Sequence, residues 1–178
     1  MNVIDVGFEN VNHIAHIADV HIRNLRRHKE YKQVFRNLYK DLKDNLPENS
    51  LIYLAGDIAH AKTEMSPELI EMMSDLFTKL SKIAPTILIA GNHDCNLNNK
   101  SRLDALSPIV DSLDLDNFYY LKDNGTYEIA DCVFNVMSVF DQPEDYILSK
   151  HIKTEKTKLA LYHGSVENAT TDVGFKLP

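Results

Sequence analysis

Residues 86 to 94 read TILIAGNHD: a run suited to a buried strand (Thr86 to Ala90), then Gly91, then Asn92, His93 and Asp94 in a row. Asn and Asp after Gly are good turn formers, so taken alone this is a surface turn. A chance turn should not recur, and this one does. HIAHIADVH (13–21) closes an apolar stretch with Asp19 and His21, and LIYLAGDIAH (51–60) closes one with Gly56, Asp57 and His60. KLALYHG (158–164) closes a fourth with His163 and Gly164. Short apolar runs bounded by Gly and by helical patterns read as strands buried on both faces of an α/β sheet. In such sheets ligands collect at the carboxyl ends of the strands, so four ends would bring Asp, His and Asn side chains to one edge.

The whole chain sets the frame. At 178 residues it has the length of one ordinary domain with one substantial core, and we expect a single domain over 1–178. Hydrophobic content of 44% and charged content of 25% are globular values. No run approaches a membrane span, and the start, MNVIDVGFEN, lacks the basic and apolar regions of a secretory leader. Cys95 and Cys132 make no disulfide framework, so the expected setting is reducing and cytoplasmic. Cys95 lies near His93, but a small bystander thiol is the simpler reading.

The net charge of −7 argues against a protein that binds nucleic acid by general basicity. The charge is uneven, however. Residues 23 to 43 hold eight Lys or Arg against Glu30 and Asp41. A solvated helix face explains that stretch as well as an anion-binding surface does.

Periodicity and turn signals order the elements. A strand over about His13 to Ala18 is followed by a helix from about Asn24 to Leu46, stopped by Pro47. A second strand covers Leu51 to Ala55. Ser66-Pro67-Glu68 is a helix start, and Leu69, Met72, Met73, Leu76, Leu80 and Ile83 keep helical spacing, as core rather than as a partner face. The third strand is Thr86 to Ala90. Ser101 and Asp104 are expected to cap a short helix ended by Pro108, and Asp123-Asn124-Gly125 to turn a hairpin between FYYL and TYEIA. A CVFNVMSVF strand and a last strand over 158–163 complete a mixed sheet or two packed sheets with helices outside.

Carboxylates, imidazoles and an Asn carbonyl form a mixed oxygen–nitrogen donor set. It suits Mn, Fe or Zn better than Ca, which takes oxygen alone. The ligands outnumber the needs of one catalytic ion, so two are expected. Two ions sharing a carboxylate can activate water and offset charge on a phosphoryl group. Asp57, held by Gly56 at the end of a central strand, is the natural bridge. His93 is placed to act as a general acid or phosphoryl donor oriented by Asp94.

The ordered motifs DVH, GDIAH, GNHD and YHG resemble those of calcineurin-like metallophosphoesterases: D-x-H, G-D, G-N-H-D/E and a later His. The resemblance spans about residues 13 to 164 and implies an αββα sandwich of two mixed sheets flanked by helices. The G-D-x-x-D-R-G of the family's protein phosphatases is absent. His60 stands where SbcD-type DNA repair nucleases carry the His of G-D-x-F-H, although an Ala takes the aromatic position. His16 matches a His in that branch's first strand and reads as a core histidine; His13, His28 and His151 read as surface or structural.

The resemblance implies that Asp19 and His21 bind one metal and Asn92 and His163 the other, with Asp57 bridging. His93 would support the transition state, helped by Asp94, and His60 would position the phosphodiester. It implies two divalent ions, Mn above all, with Fe, Zn or Mg possible. The implied activity is exonuclease and endonuclease cleavage in DNA repair or recombination, with a second copy of the chain and an SbcC-like coiled-coil ATPase as partners. Arg23, Arg26, Arg27 and Lys29, following the first motif, could meet DNA phosphates.

One departure matters. Family members go on to a G-x-H or G-H-x-H motif that supplies two more ligands, and this sequence stops at VGFKLP. The expectation is a C-terminally incomplete domain with one ligand missing from each metal. Two other readings stay open: the same chemistry on a small nucleotide or other phosphodiester, and a non-catalytic scaffold with an incomplete metal site.

Overall fold

The computed structural model describes residues 1–99, 101–165, 168–171 and 173–176. In chain order its elements are β1 (Asn2–Ile4), β2 (His13–Ile17), α1 (His28–Asn45), β3 (Ser50–Leu54), α2 (Pro67–Ser81) and β4 (Thr86–Leu88). There follow α3 (Ser107–Leu113), β5 (Phe118–Tyr120), β6 (Gly125–Ile129), β7 (Cys132–Met137) and β8 (Thr157–Tyr162). One sheet has the order β2-β3-β4-β5, all parallel. The other has the order β1-β6-β7-β8, parallel except for the antiparallel β6–β7 pair.

Strand β3 shows why two sheets form. All five of its residues are buried, and alternate side chains serve different cores. Leu51 and Tyr53, with Ala55 beyond, meet Ile87, Ile89, Phe134, Val136 and Leu161 between the sheets. Ile52 and Leu54 face the helix side and pack with Phe35, Leu76, Phe77 and Ile109. Each such fully buried side chain contributes about 1.5–3 kcal/mol relative to exposure. The helices α1, α2 and α3 supply the first sheet's outer layer, with Phe35, Tyr39 and Leu42 on the inward stripe of α1. On the second sheet's outer face, Asn135 donates to the Ile147 carbonyl at 2.7 Å, between one-turn 3-10 segments at Pro143–Asp145 and Ser149–His151.

The α2 start follows the sequence: the Ser66 hydroxyl accepts the Leu69 N–H, Pro67 opens the first turn, and Leu69, Met72, Met73, Leu76 and Leu80 are buried. Three expectations are corrected. Helix α1 begins at His28 rather than Asn24, because Leu25 and Arg27 adopt left-handed conformations and the His28 ring bonds the Arg23 carbonyl at 2.8 Å. Pro108 does not end a helix; it sits in the first turn of α3, where lacking an N–H carries no penalty. Asp104 is nevertheless a cap, its Oδ1 accepting the N–H groups of Leu106 and Ser107 at 2.8 and 2.6 Å. Finally, Asp123 to Gly125 turns no hairpin, since β5 and β6 belong to different sheets. The antiparallel pair is β6–β7, turned at Ala130 and Asp131.

Candidate metal centre

The carboxyl ends of β2, β3, β4 and β8 meet because two glycines let them. A Cβ on Gly56 would lie 2.5 Å from the Gly91 nitrogen and 2.8 Å from the Ala90 carbonyl carbon, and Gly56 itself has φ +84°. A Cβ on Gly91 would run into the Asp57 carboxylate. Only glycine at both positions brings the Asp57 and Asn92 loops into contact. Beyond β2 and β3 the loops stay clamped: Ile22 N–H bonds the Ile58 carbonyl at 2.8 Å, and His60 N–H bonds the Ile22 carbonyl at 3.0 Å. Asp19, His21 and Asp57 all take left-handed backbone, with φ of 54°, 47° and 53°. For residues other than Gly this costs of order 1–3 kcal/mol each, and such strain concentrates at functional sites.

The five residues expected to hold metal are brought together. Asp57, buried, places Oδ2 3.3 Å from His21 Nε2 and 3.3 Å from His163 Nε2. Asp19 Oδ1 lies 3.6 Å from His21 Nε2, and Asn92 Oδ1 lies 3.2 Å from His163 Nε2. Ligand atoms of Asp19, Asp57 and His163 all fall within 4.8 Å of one another. The Asp57 carboxylate oxygen is thus equidistant from two imidazole nitrogens. The donor chemistry fits divalent ions of the Mn, Fe or Zn kind. Among the described residues, His21 Nδ1 and His60 Nδ1 are buried without a hydrogen-bond partner.

A second group adjoins the first. His21, His60 and His93 also bring ligand atoms within 4.8 Å. The His93 ring stands edge-on to His21 at 4.7 Å and stacked with His60 at 5.6 Å.

Backbone carbonyls aim these rings. His163 Nδ1–H donates to the Ala55 carbonyl at 2.6 Å, which turns Nε2 toward Asp57 and Asn92. His93 Nδ1–H donates to the His60 carbonyl at 2.8 Å, and its own N–H bonds Asp57 Oδ1 at 2.8 Å. The expected orientation of His93 by Asp94 is therefore corrected. Asp94 is fully buried and its carboxylate accepts the N–H groups of Ala59 and Gly91 at 3.0 and 2.9 Å. It ties the β3 loop to the β4 loop. Burial pushes its carboxyl up to about 6, against the pull of those backbone donors.

Electrostatics around Asp57 follow from the same contacts. Burial alone would raise its carboxyl, but the His163 hydrogen bond, the His93 N–H and both imidazole charges hold it below the ordinary carboxylate range. The partner shift is the mirror image: the hydrogen bond with Asp57 raises the His163 imidazole to about 9, despite its partial burial. Desolvation, then the charges of Arg23 and His21, keep His60 below its usual range. Cys95 is buried against the Gly91 carbonyl and desolvation pushes its thiol to about 11, which makes it a bystander.

Other histidines separate as follows. His13 and His151 are exposed and His28 is half-buried at the α1 start. His16 is not a core residue, a further correction: it is exposed, stacks on Tyr53 at 5.0 Å, and lines the cleft above Asp19 and Asp57. That cleft, about 350 Å³, is also lined by Asn92, Tyr162 and His163. Of the basic residues after the first motif, Arg23, Arg26, Arg27 and Lys29 are all exposed. Arg23 is near enough to His60 to act on its charge, and Arg27 pairs loosely with Glu30 at 3.8 Å. The carbonyls of Ala55 and His60 carry no side-chain signal and could not be found from the sequence. His16 and Tyr162 had a signal of position, one on β2 and one next to His163, but each was outweighed by the strand pattern around it.

Comparison with known proteins agrees with this geometry. Over 178 aligned residues the chain is 49% identical to Uncharacterized protein R555 of Acanthamoeba polyphaga mimivirus, covering 94% of this chain and 13% of that protein. The chain thus spans only a small part of the relative's length. Residues 13–172 match the family model described as calcineurin-like phosphoesterase. With two sheets whose strand ends gather Asp19, His21, Asp57, Asn92 and His163, the chain belongs to the calcineurin-like phosphoesterase family, a family of metal-dependent phosphoester hydrolases.

Proposed function

We propose that this domain hydrolyses DNA phosphodiesters, as the nuclease part of a repair or recombination assembly. The observation that supports it is the meeting of His21, His60 and His93 beside the Asp57 carboxylate, with the exposed Arg23 next to His60. Beside His21, which would hold metal, the imidazoles of His60 and His93 offer two groups for a phosphodiester's oxygens, and the Arg23-to-Lys29 stretch continues them with charge for the next phosphates.

The roles follow from the contacts. Asp19 and His21 would hold one ion, Asn92 and His163 the other, with Asp57 shared. Two divalent ions, Mn²⁺ above all and Fe, Zn or Mg next, would supply an activated water and neutralise phosphoryl charge. His93, its Nδ1–H fixed on the His60 carbonyl, presents Nε2 to the leaving oxygen and carries its proton there. His60 orients a non-bridging phosphoryl oxygen. Asp94 keeps the two loops in register by its backbone bonds. In the same proposal a second copy of the chain and an SbcC-like coiled-coil ATPase present the DNA end.

A second reading, the same chemistry on a small nucleotide, draws on the cleft's volume of about 350 Å³, near the lower end for ligand sites. The discriminating experiment compares Mn²⁺-dependent cleavage of a labelled DNA duplex with that of bis(p-nitrophenyl) phosphate. His93→Gln should lower DNA cleavage by about 10²–10⁴ and the nitrophenyl ester, whose leaving group needs no acid, by much less, without changing the number of ions bound. Charge removal at Arg23, Arg26 and Arg27 should slow only DNA cleavage. If that triple variant cleaves DNA as well as the parent, the DNA reading gives way to the small-substrate one.

A further inference from the structure

Beside the expected metal ligands, the cleft is lined by two rings given no part in holding metal, Tyr162 and His16. Tyr162 directly precedes His163 and is 41% exposed. Its ring lies across Gly164, where a Cβ would meet the phenol oxygen. Tyr146 meets the Tyr162 ring edge-on at 6.3 Å and 71°, and is itself tied by its hydroxyl to the Ser138 carbonyl at 3.1 Å. On the β2 side, His16 stacks at 27° on the buried Tyr53, which leaves the other face of the imidazole as its exposed one. Both rings line the same cleft as Asp19, Asp57, Asn92 and His163.

We infer that Tyr162 and His16 form a stacking site for the nucleobase of the nucleotide whose phosphate lies at the metal centre. This rests on the phosphodiesterase reading above and adds what that reading lacks, a group that recognises the substrate beyond its phosphate. The chemistry is specific to a flat aromatic ligand. Among the described residues neither ring makes an ion pair, and each touches another aromatic ring, His16 stacked on Tyr53 and Tyr162 edge-on to Tyr146, which limits the freedom it loses on binding. A cleft of about 350 Å³ is of a size to take one nucleotide. Every base has a π-face, so the site discriminates nucleotide from bare phosphoester without choosing among sequences.

The test is equilibrium binding to the Mn²⁺-loaded protein by calorimetry, comparing thymidine 5′-monophosphate with 2-deoxyribose 5-phosphate, which share sugar and phosphate and differ by the base. The expected result is about tenfold tighter binding of the nucleotide, equal to about 1.4 kcal/mol, the range in which base–aromatic stacking contributes. Tyr162→Ala and His16→Ala should each cut that preference severalfold, and Tyr162→Phe should keep it. The ratio of the two ligands is read within each variant, so a general loss of folding or metal cannot mimic the effect. Equal binding of the two ligands by the parent protein, or an undiminished preference in Tyr162→Ala, overturns the inference and leaves the metal centre standing. Binding of neither ligand overturns the phosphodiesterase reading and the stacking site with it.

Discussion

Replacing Asp57 by Asn keeps the side chain's size and removes its charge, and the structure says what must follow in the metal-free protein. The His163 imidazole sits near about 9 instead of 6.5 chiefly because its Nε2 lies 3.3 Å from Asp57 Oδ2. In Asp57→Asn, His163 should titrate close to 6.5. At 1.36 kcal/mol per pH unit the difference corresponds to about 3 kcal/mol, and partial solvent screening of His163 brings the expected contribution to about 2 kcal/mol. The sign is fixed by linkage. A raised imidazole stabilises the fold fully below its unfolded value of 6.5, and the contribution drains away as pH rises through about 9. The lowered Asp57 carboxyl sets the acid limit: its contribution is present above 3.8 and is lost as pH falls below that. Between these limits the two groups share one interaction, counted once. The assay is an NMR titration of the His163 ring in chelator-treated protein, with urea unfolding of parent and variant at pH 6 and pH 9.5. Agreement requires a stability gap at pH 6 that narrows at pH 9.5. A His163 that still titrates near 9 in Asp57→Asn would refute the argument, because the charge credited with the shift would be gone.

Three further outcomes follow from the same contacts. Metal binding at His163 must displace the proton that Asp57 retains there, so the apparent Mn²⁺ affinity should climb up to about tenfold per pH unit between 6.5 and 9, by calorimetry. Gly56→Ala should destabilise the fold by about 3 kcal/mol, from left-handed strain and a clash with the Gly91 and Ala90 backbone that no side chain can relieve, lowering Tm by roughly 10 °C. Asp104→Ala removes the α3 cap and leaves Lys122, 2.8 Å from Asp104 Oδ2, without its buried partner. Urea unfolding should show a loss of about 3 kcal/mol, with metal binding unchanged.

How far the sequence revealed this site depends on where the information sits. Asp19, Asp57, Asn92 and His163 were legible because the residue types that hold a metal recur at the ends of apolar runs, and Gly56 and Gly91 marked where strands stop. The α2 start was legible in Ser66-Pro67 because capping is local chemistry. Pro108 was misread because a proline suits a first helical turn as well as it ends a helix, and only the Asp104 cap upstream decides which. The Asp123 to Gly125 turn signal is real, yet the choice between a hairpin and a crossing to the other sheet is made by tertiary pairing. Asp94 looked like a partner for the neighbouring His93, whereas the fold turns it inward to bond Ala59 and Gly91. His16 looked like core from its match to a first-strand histidine of the resembled branch; β2 is an edge strand, and the ring is exposed in the cleft.

The central claim is that four strand ends assemble a two-ion centre that hydrolyses phosphodiesters. One titration tests it: Mn²⁺ is added to metal-free protein by calorimetry while hydrolysis of bis(p-nitrophenyl) phosphate is followed in matched samples, for the parent and for Asp57→Ala. The account predicts two ions bound by the parent, with hydrolysis rising as the second site fills, and loss of both in Asp57→Ala. Hydrolysis that persists in Asp57→Ala, or a parent that takes up no Mn²⁺, would contradict it.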